Sequence, residues 1–328
     1  MTDSLYPLTF VPVYRDYLWG GNRIPNLYRR PFSGPICAES WEIADRPEGM
    51  SVVAAGPSRG RTLRDLIEQT GPALLGTEVR GGRFPLLVKI IDAREKLSVQ
   101  VHPNDRDAKA FGGEAKTEMW YALPGMDGSY VYAGLRPGVD RAAFLDALRR
   151  ERLEETLCRI PLKAEEGIFI PGGRVHAIGE GCLLLEVQQN SDTTYRVYDW
   201  GRKSADGRPR PLHLEQALRV INWDDASPGK TVPRREESAE GHSVDAILTC
   251  PHFQVERLAI TGRADFGNDG RSFHALFIAD GIVCLATDGF DADLHAGTSV
   301  LVPAAVRQYR LSASAAPAEV LRISVPPR

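Results

Sequence analysis

No stretch of this sequence is long and apolar enough to span a membrane. The longest apolar runs, such as 84–88 and 182–185, fall far short of the roughly 20 residues a spanning helix needs. Cysteine is scarce: five residues, at 37, 158, 182, 250 and 284, with no Cys-x-x-Cys pair. They are expected to be buried reduced thiols, which excludes a disulfide framework and a zinc–thiolate site. Neither glycine-rich phosphate loop, GxxxxGK[ST] or GxGxxG, is present. No charge sign dominates either, with 40 Lys and Arg against 43 Asp and Glu. A net charge of -3 without basic clusters argues against a nucleic-acid partner or a polybasic membrane anchor. The first 17 residues lack a basic start and carry Asp3 and two prolines, so no secretory signal is expected. These absences together describe a soluble cytoplasmic protein.

What is present is strand chemistry. The 328 residues, 43% of them hydrophobic, leave room for two cores. Short apolar runs rich in β-branched and aromatic residues, broken by Gly, Pro, Asn and Asp, fill both ends of the chain. Between them, Ser227-Pro228-Gly229, Pro233 and the run Arg234-Arg235-Glu236-Glu237 have turn chemistry and little to bury. The expected organisation is a first domain over 1–226, a linker over 227–243 and a β domain over 244–328. Strands are predicted near 253–260, 272–279, 282–286, 299–302, 307–311 and 319–325. Helices are few and peripheral: Thr62–Leu75, opening on a capping threonine, Asp140–Leu148 and His213–Ile221.

Three segments suggest a metal site. In 97–102 (LSVQVH) apolar and polar residues alternate, so Leu97, Val99 and Val101 face a core while Ser98, Gln100 and His102 share the opposite face. An amide and an imidazole two residues apart on one strand face form half a metal site, or else a polar face meeting water. In 167–178 (GIFIPGGRVHAI) a strand enters a Pro171-Gly172-Gly173 turn and returns with His176 between Val175 and Ala177. That histidine is either a ligand or a core imidazole satisfied by a carbonyl. In 116–122 (KTEMWYA) Glu118 lies among bulky apolar residues, where a carboxylate needs a partner, either Lys116 or a metal. Two imidazoles, a carboxylate and an amide oxygen suit one zinc ion per chain; Mn, Co or Fe would fit the same donors.

At these residues the sequence resembles the type I phosphomannose isomerases, especially their short bacterial form. The stretches that carry the resemblance are LWGG (18–21), ESWEIADRPEG (39–49), FPLLVKIIDAREKLSVQVHPND (84–105), KTEMWYAL (116–123), IPGGRVHAI (170–178) and LLEVQQNSDTTYRVYDWGR (184–202). The resemblance implies a mainly β protein of two cupin domains (double-stranded β-helices, or jelly-rolls), the second one degenerate, with a few peripheral helices. It implies zinc ligands at Gln100, His102, Glu118 and His176, an active-site arginine at Arg196, and pocket positions at Lys89, Lys116, Glu186 and Asp192. Two departures stand out. The His102–Glu118 separation is compact, with no large helical insertion after it, and the turn before His176 lacks the Gly-Asp that many cupins place ahead of the proline. The C-terminal unit carries Gln308 and Tyr309 where a ligand histidine would fall, so it is expected to be metal-free.

The implied activity interconverts mannose 6-phosphate and fructose 6-phosphate by moving a proton between C1 and C2 through an enediol. Such a step needs electrophilic help for charge on oxygen, which a metal and a cation such as Arg196 supply. It also needs a base, for which Glu186, Asp192 and Lys116 are candidates. Without a phosphate loop, the sugar phosphate would be held by point charges and hydroxyls, with Lys89, Ser98 and Arg196 as candidates. Two further readings fit a metal-holding cupin: a non-catalytic protein that binds a sugar or sugar phosphate, and an iron oxygenase. The extra amide ligand argues against the oxygenase, which keeps open cis positions. The presence of Arg196 beside the full ligand set favours the isomerase.

Overall fold

The structure, a computed structural model, describes residues 5–126, 128–203, 207–225 and 229–327. Among them, no helix is long and apolar enough to cross a membrane. The chain forms two compact units that are interleaved in sequence. One gathers the segment up to Val13, Trp41–Lys89 and the chain from Thr231 on; the other gathers Tyr14–Ser40 and Ile90–Lys230. The division therefore differs from the expected single cut over 227–243, part of which, at 227 and 228, lies outside the described residues. The physical reason is strand pairing. Leu8–Val11 hydrogen-bonds to Ser299–Val302, with Leu8 opposite Leu301, and Val52–Val53 pairs with Leu8–Val11 on its other side.

The first unit is a sandwich of an eight-stranded and a four-stranded antiparallel sheet. The larger runs in the order Arg234–Ala239, His242–Thr249, Gln254–Ile260, Ala318–Ser324, His274–Asp280, Ser299–Val302, Leu8–Val11 and Val52–Val53. The smaller is Arg263–Gly267, Gln308–Ala313, Ile282–Thr287 and Phe290–His295. Leu258, Leu276, Val300 and Val320 of one sheet bury against Phe266, Leu285, Leu294 and Leu311 of the other, the alternate inward residues expected of facing sheets. All six predicted C-terminal strands are present, Ser299–Val302 at its predicted bounds and the other five with ends shifted by one or two residues. The expected linker holds a strand instead: Arg234–Ala239 pairs with His242–Thr249 although all six of its residues are exposed.

In the second unit, Tyr195–Tyr198, Val99–Val101, His176–Ile178, Ser129–Leu135 and Leu157–Leu162 form one sheet. Gly167–Ile170, Glu118–Ala122 and Leu183–Gln189 run side by side in another. Trp120, Ala122, Ile168, Ile170 and Leu184 of the second sheet share a core with Val131, Ala133 and Ile178 of the first. On the outer face of the first sheet, Val99, Val101, Ala177 and Val197 pack with Phe144 of the helix Arg141–Arg149 and Ala217 and Val220 of the helix Leu214–Val220. Asp140 caps the former helix by accepting from Ala143 N.

The predicted helix Thr62–Leu75 is two helices. Thr62 and Asp65 form a reciprocal capping box at the start of Leu63–Thr70. Gly71, with φ +48°, then ends it, and Pro72 opens the short helix Pro72–Leu75. Proline cannot donate to the preceding turn and pushes the residue before it out of the helical region. The helix Asp105–Phe111, capped by Asn104, has no sequence counterpart among the predicted helices.

Candidate metal centre

The strand expected at 97–102 is shorter than its pattern, Val99–Val101, but the alternation holds, since Val99 and Val101 are fully buried. The opposite face does not meet water as a half-exposed strand would. Ser98 and His102 are buried and Gln100 is half-buried. His176 begins the next strand and lies directly opposite Gln100, while Arg196 lies opposite Gln100 on the other flank. Directly opposed residues of an antiparallel pair project to the same face. Gln100, His176 and Arg196 therefore share one side of the sheet.

The Pro-Gly-Gly turn explains how His102 and His176 approach. Gly173 N donates to His102 O at 2.8 Å. A Cβ on Gly172 would lie 2.6 Å from Asn104 Cα and 2.8 Å from Pro103 O. Only a residue without a side chain lets the two ligand-bearing segments come this close. Glu118 arrives from the facing sheet, on Glu118–Ala122, flanked in register by Ile170 and Gln188.

His102, Glu118 and His176 present donor atoms that all lie within 4.8 Å of one another, and all three residues are buried. His102 Nε2 is 3.4 Å from one Glu118 oxygen and His176 Nε2 is 3.4 Å from the other. The opposite ring nitrogens are already engaged, His102 Nδ1 with Thr193 O and His176 Nδ1 with Arg174 O, each at 2.8 Å. A carbonyl can only accept, so each Nδ1 carries the proton and each Nε2 offers a lone pair. Burial pushes the His176 imidazole down to about 3, which keeps it neutral, the form that binds metal. His176 Nε2 has no hydrogen-bond partner among the described residues. A fully buried acceptor of this kind is costly unless a cation meets it. The donors thus fit a divalent ion, and the chemistry of the set does not by itself select zinc over Mn, Co or Fe.

The other expected site residues divide into those gathered at this cluster and those set apart. Lys116, buried, places Nζ 3.2 Å from Glu118 Oε2 and 4.0 Å from Glu186 Oε1. Glu118 therefore has the expected lysine as well as the imidazoles around it. Glu186 is buried on Leu183–Gln189, and its Oε2 accepts from Trp120 Nε1 at 2.8 Å. Arg196 is held by Ser98 Oγ, 3.3 Å from Nε, and by Pro211 O, 2.9 Å from Nη1. Asp192 is exposed, and its backbone N–H donates to Glu114 Oε2. Lys89 is buried on the strand Leu86–Asp92. The orienting groups Thr193 O and Arg174 O are backbone atoms, which leave no side-chain signal in a sequence. Trp120 did leave one, being two residues from Glu118 and hence on its face.

Residues 8–133 match the family described as phosphomannose isomerase type I, catalytic domain, and residues 244–321 match the cupin domain of mannose-6-phosphate isomerase. The chain is 34% identical to a mannose-6-phosphate isomerase of Bacillus subtilis over 93% of its own length and 95% of the relative's. It is 36% identical to a mannose-6-phosphate isomerase of Streptococcus mutans over 78% of this chain and 79% of that one. The crystal structure of the mannose 6-phosphate isomerase from B. subtilis superposes with a TM-score of 0.89 at 29% identity, covering 97% of this chain and 99% of the other. With a buried His-Glu-His cluster on a jelly-roll and a relative 34% identical over 93% of this chain's length, the chain belongs to the type I phosphomannose isomerase family.

Proposed function

We propose that this protein is a zinc-dependent aldose–ketose isomerase that interconverts mannose 6-phosphate and fructose 6-phosphate. The observation that carries this reading is the convergence of His102, Glu118 and His176 within 4.8 Å, beside the buried pair Lys116 and Glu186. His102 and His176, with their tautomers set by backbone carbonyls, would hold one zinc ion through Nε2, with Glu118 and the Gln100 amide completing the set. When bound, the ion supplies electrophilic stabilisation of negative charge developing on a sugar oxygen.

The chain's own groups do the rest. Glu186 is the base we favour: it is buried, has one oxygen fixed by an indole, and lies within reach of the Lys116 ammonium. It takes the proton from C2 of the aldose and returns it at C1, passing through an enediol; the reverse direction exchanges the two carbons. Lys116 offers a proton or a fixed positive charge to the sugar oxygens. Arg196, anchored by Ser98 and Pro211, adds a second cation on the Gln100 face. Lys89 and Ser98 are the proposed contributors to phosphate binding. Asp192 is the weaker candidate base, since it is exposed and Glu186 is not. Reduced cysteines, none of the five in a disulfide, and a phosphorylated substrate suit a cytoplasmic enzyme.

A coupled assay with mannose 6-phosphate, run on the protein as isolated, after chelation and after zinc is restored, tests this. Turnover should vanish with the metal and return with about one zinc per chain. A protein carrying stoichiometric zinc and turning over no hexose 6-phosphate would overturn the proposal and leave a non-catalytic sugar-phosphate binder.

A further inference from the structure

Trp120 and Glu186 are direct partners across the antiparallel strands Glu118–Ala122 and Leu183–Gln189. The indole is fully buried and is flanked in register by Ile168 on its other side. Its N–H donates to Glu186 Oε2 at 2.8 Å. Its ring meets His176 edge-on, with centroids 5.4 Å apart at 71°. One rigid side chain therefore touches both a candidate metal ligand and the candidate base. A buried indole needs only an acceptor, and a backbone carbonyl would serve at far less desolvation cost than a carboxylate. The use of a carboxylate here makes the bond informative. It leaves the two oxygens of Glu186 unequal, Oε2 engaged by the indole and Oε1 on the Lys116 side.

We infer that Trp120 is a positioning residue, which acts through Glu186 by fixing the carboxylate so that Oε1 faces the reacting sugar carbons. The inference rests on the reading of Glu186 as the base, and the test separates the two. Trp120→Phe keeps an aromatic ring and removes the donor. It should lower kcat for mannose 6-phosphate by about 10- to 100-fold, the scale of a catalytic group displaced by about an ångström. KM should stay within about twofold and zinc content should be unchanged, as expected when only an interaction used in the transition state is lost.

In a Glu186→Gln background the same substitution should add less than about a further twofold, because residues acting through one another are not additive. In protein labelled with [15N]tryptophan, five indole signals are expected. One of them should move in Glu186→Gln, a readout that needs no turnover and survives if Trp120→Phe folds poorly; where that variant folds, it should be the signal that is missing. Full turnover in Glu186→Gln would remove the base assignment. An impaired Glu186→Gln beside an unchanged Trp120→Phe, multiplicative effects of the two, or an unmoved indole signal would each overturn the role of Trp120.

Discussion

Gln100 and His176 stand directly opposite one another on neighbouring antiparallel strands, so the amide and the imidazole rise from the same face as immediate neighbours. The amide is neutral and replaceable, whereas the imidazole has its tautomer set by Arg174 O. Gln100→Ala should therefore weaken zinc binding by about 10- to 100-fold, the range of losses at supporting positions of metal sites. Competition with a chromophoric chelator measures it, and an unchanged affinity would remove Gln100 from the ligand set.

His102→Ala and Arg196→Ala should separate metal binding from catalysis. The first should lose zinc and turnover together. Arg196 contacts Ser98 and Pro211 and no member of the His-Glu-His cluster in any described hydrogen bond, so its alanine variant should retain zinc. Its kcat should fall by about 10²- to 10³-fold, the typical cost of one preorganised donor to developing charge. Metal analysis beside steady-state kinetics reads both, and an Arg196→Ala enzyme near wild-type rate would refute the role.

Gly172→Ala probes the approach of the two histidine segments. The new Cβ would meet Asn104 Cα and N at 2.6 and 2.7 Å, backbone atoms that no rotamer change can move. The turn must shift, carrying His176 away from His102. A loss of about 1–3 kcal/mol in unfolding free energy, read from urea titration, is expected for the metal-free protein, as for other overpacked sites. Zinc affinity should drop as well; a stable variant with normal affinity would contradict this account of the turn.

In the first unit, His274 gives a pH dependence with a definite sign. Its Nδ1 is 3.0 Å from Tyr309 Oη, and burial, reinforced by the Arg322 guanidinium, pushes the imidazole down to about 4, against the opposing pull of Glu256 and Asp269. The unfolded chain, with an ordinary histidine near 6.5, then binds more protons than the folded one between those values. Stability contributed by this site is complete above about pH 6.5 and falls on acidification towards 4, by on the order of 3 kcal/mol. His274→Gln should flatten the wild-type difference in thermal midpoint between pH 7 and pH 5. Parallel curves for the two proteins would show that the imidazole does not titrate this way.

Legibility in the sequence followed from whether a residue's signal was carried by its side chain and its neighbours. The Val99-Gln100-Val101 alternation survived because Val99 and Val101 bury against the helices on one side while Gln100 turns to the other. Glu118 was conspicuous because a carboxylate between Met119, Trp120 and the buried Lys116 has nowhere cheap to go. Arg234–Ala239 was misread because an exposed edge strand buries neither face, so period-two patterning has nothing to act on. The split of Thr62–Leu75 was visible in Gly71-Pro72 but masked by the apolar stripe running across it. The interleaving of the two units had no local signal, because the pairing of Leu8 with Leu301 is a property of residues nearly 300 positions apart.

That pairing carries a consequence for how the polypeptide is made. Leu8–Val11 leaves the ribosome about 290 residues ahead of its hydrogen-bonding partner Ser299–Val302. The strand must wait, that edge unsatisfied, while the intervening residues are translated, and long-range closures of this kind are slow and aggregation-exposed. A nascent chain stalled before residue 299 should accordingly be a far better chaperone client than its length alone suggests.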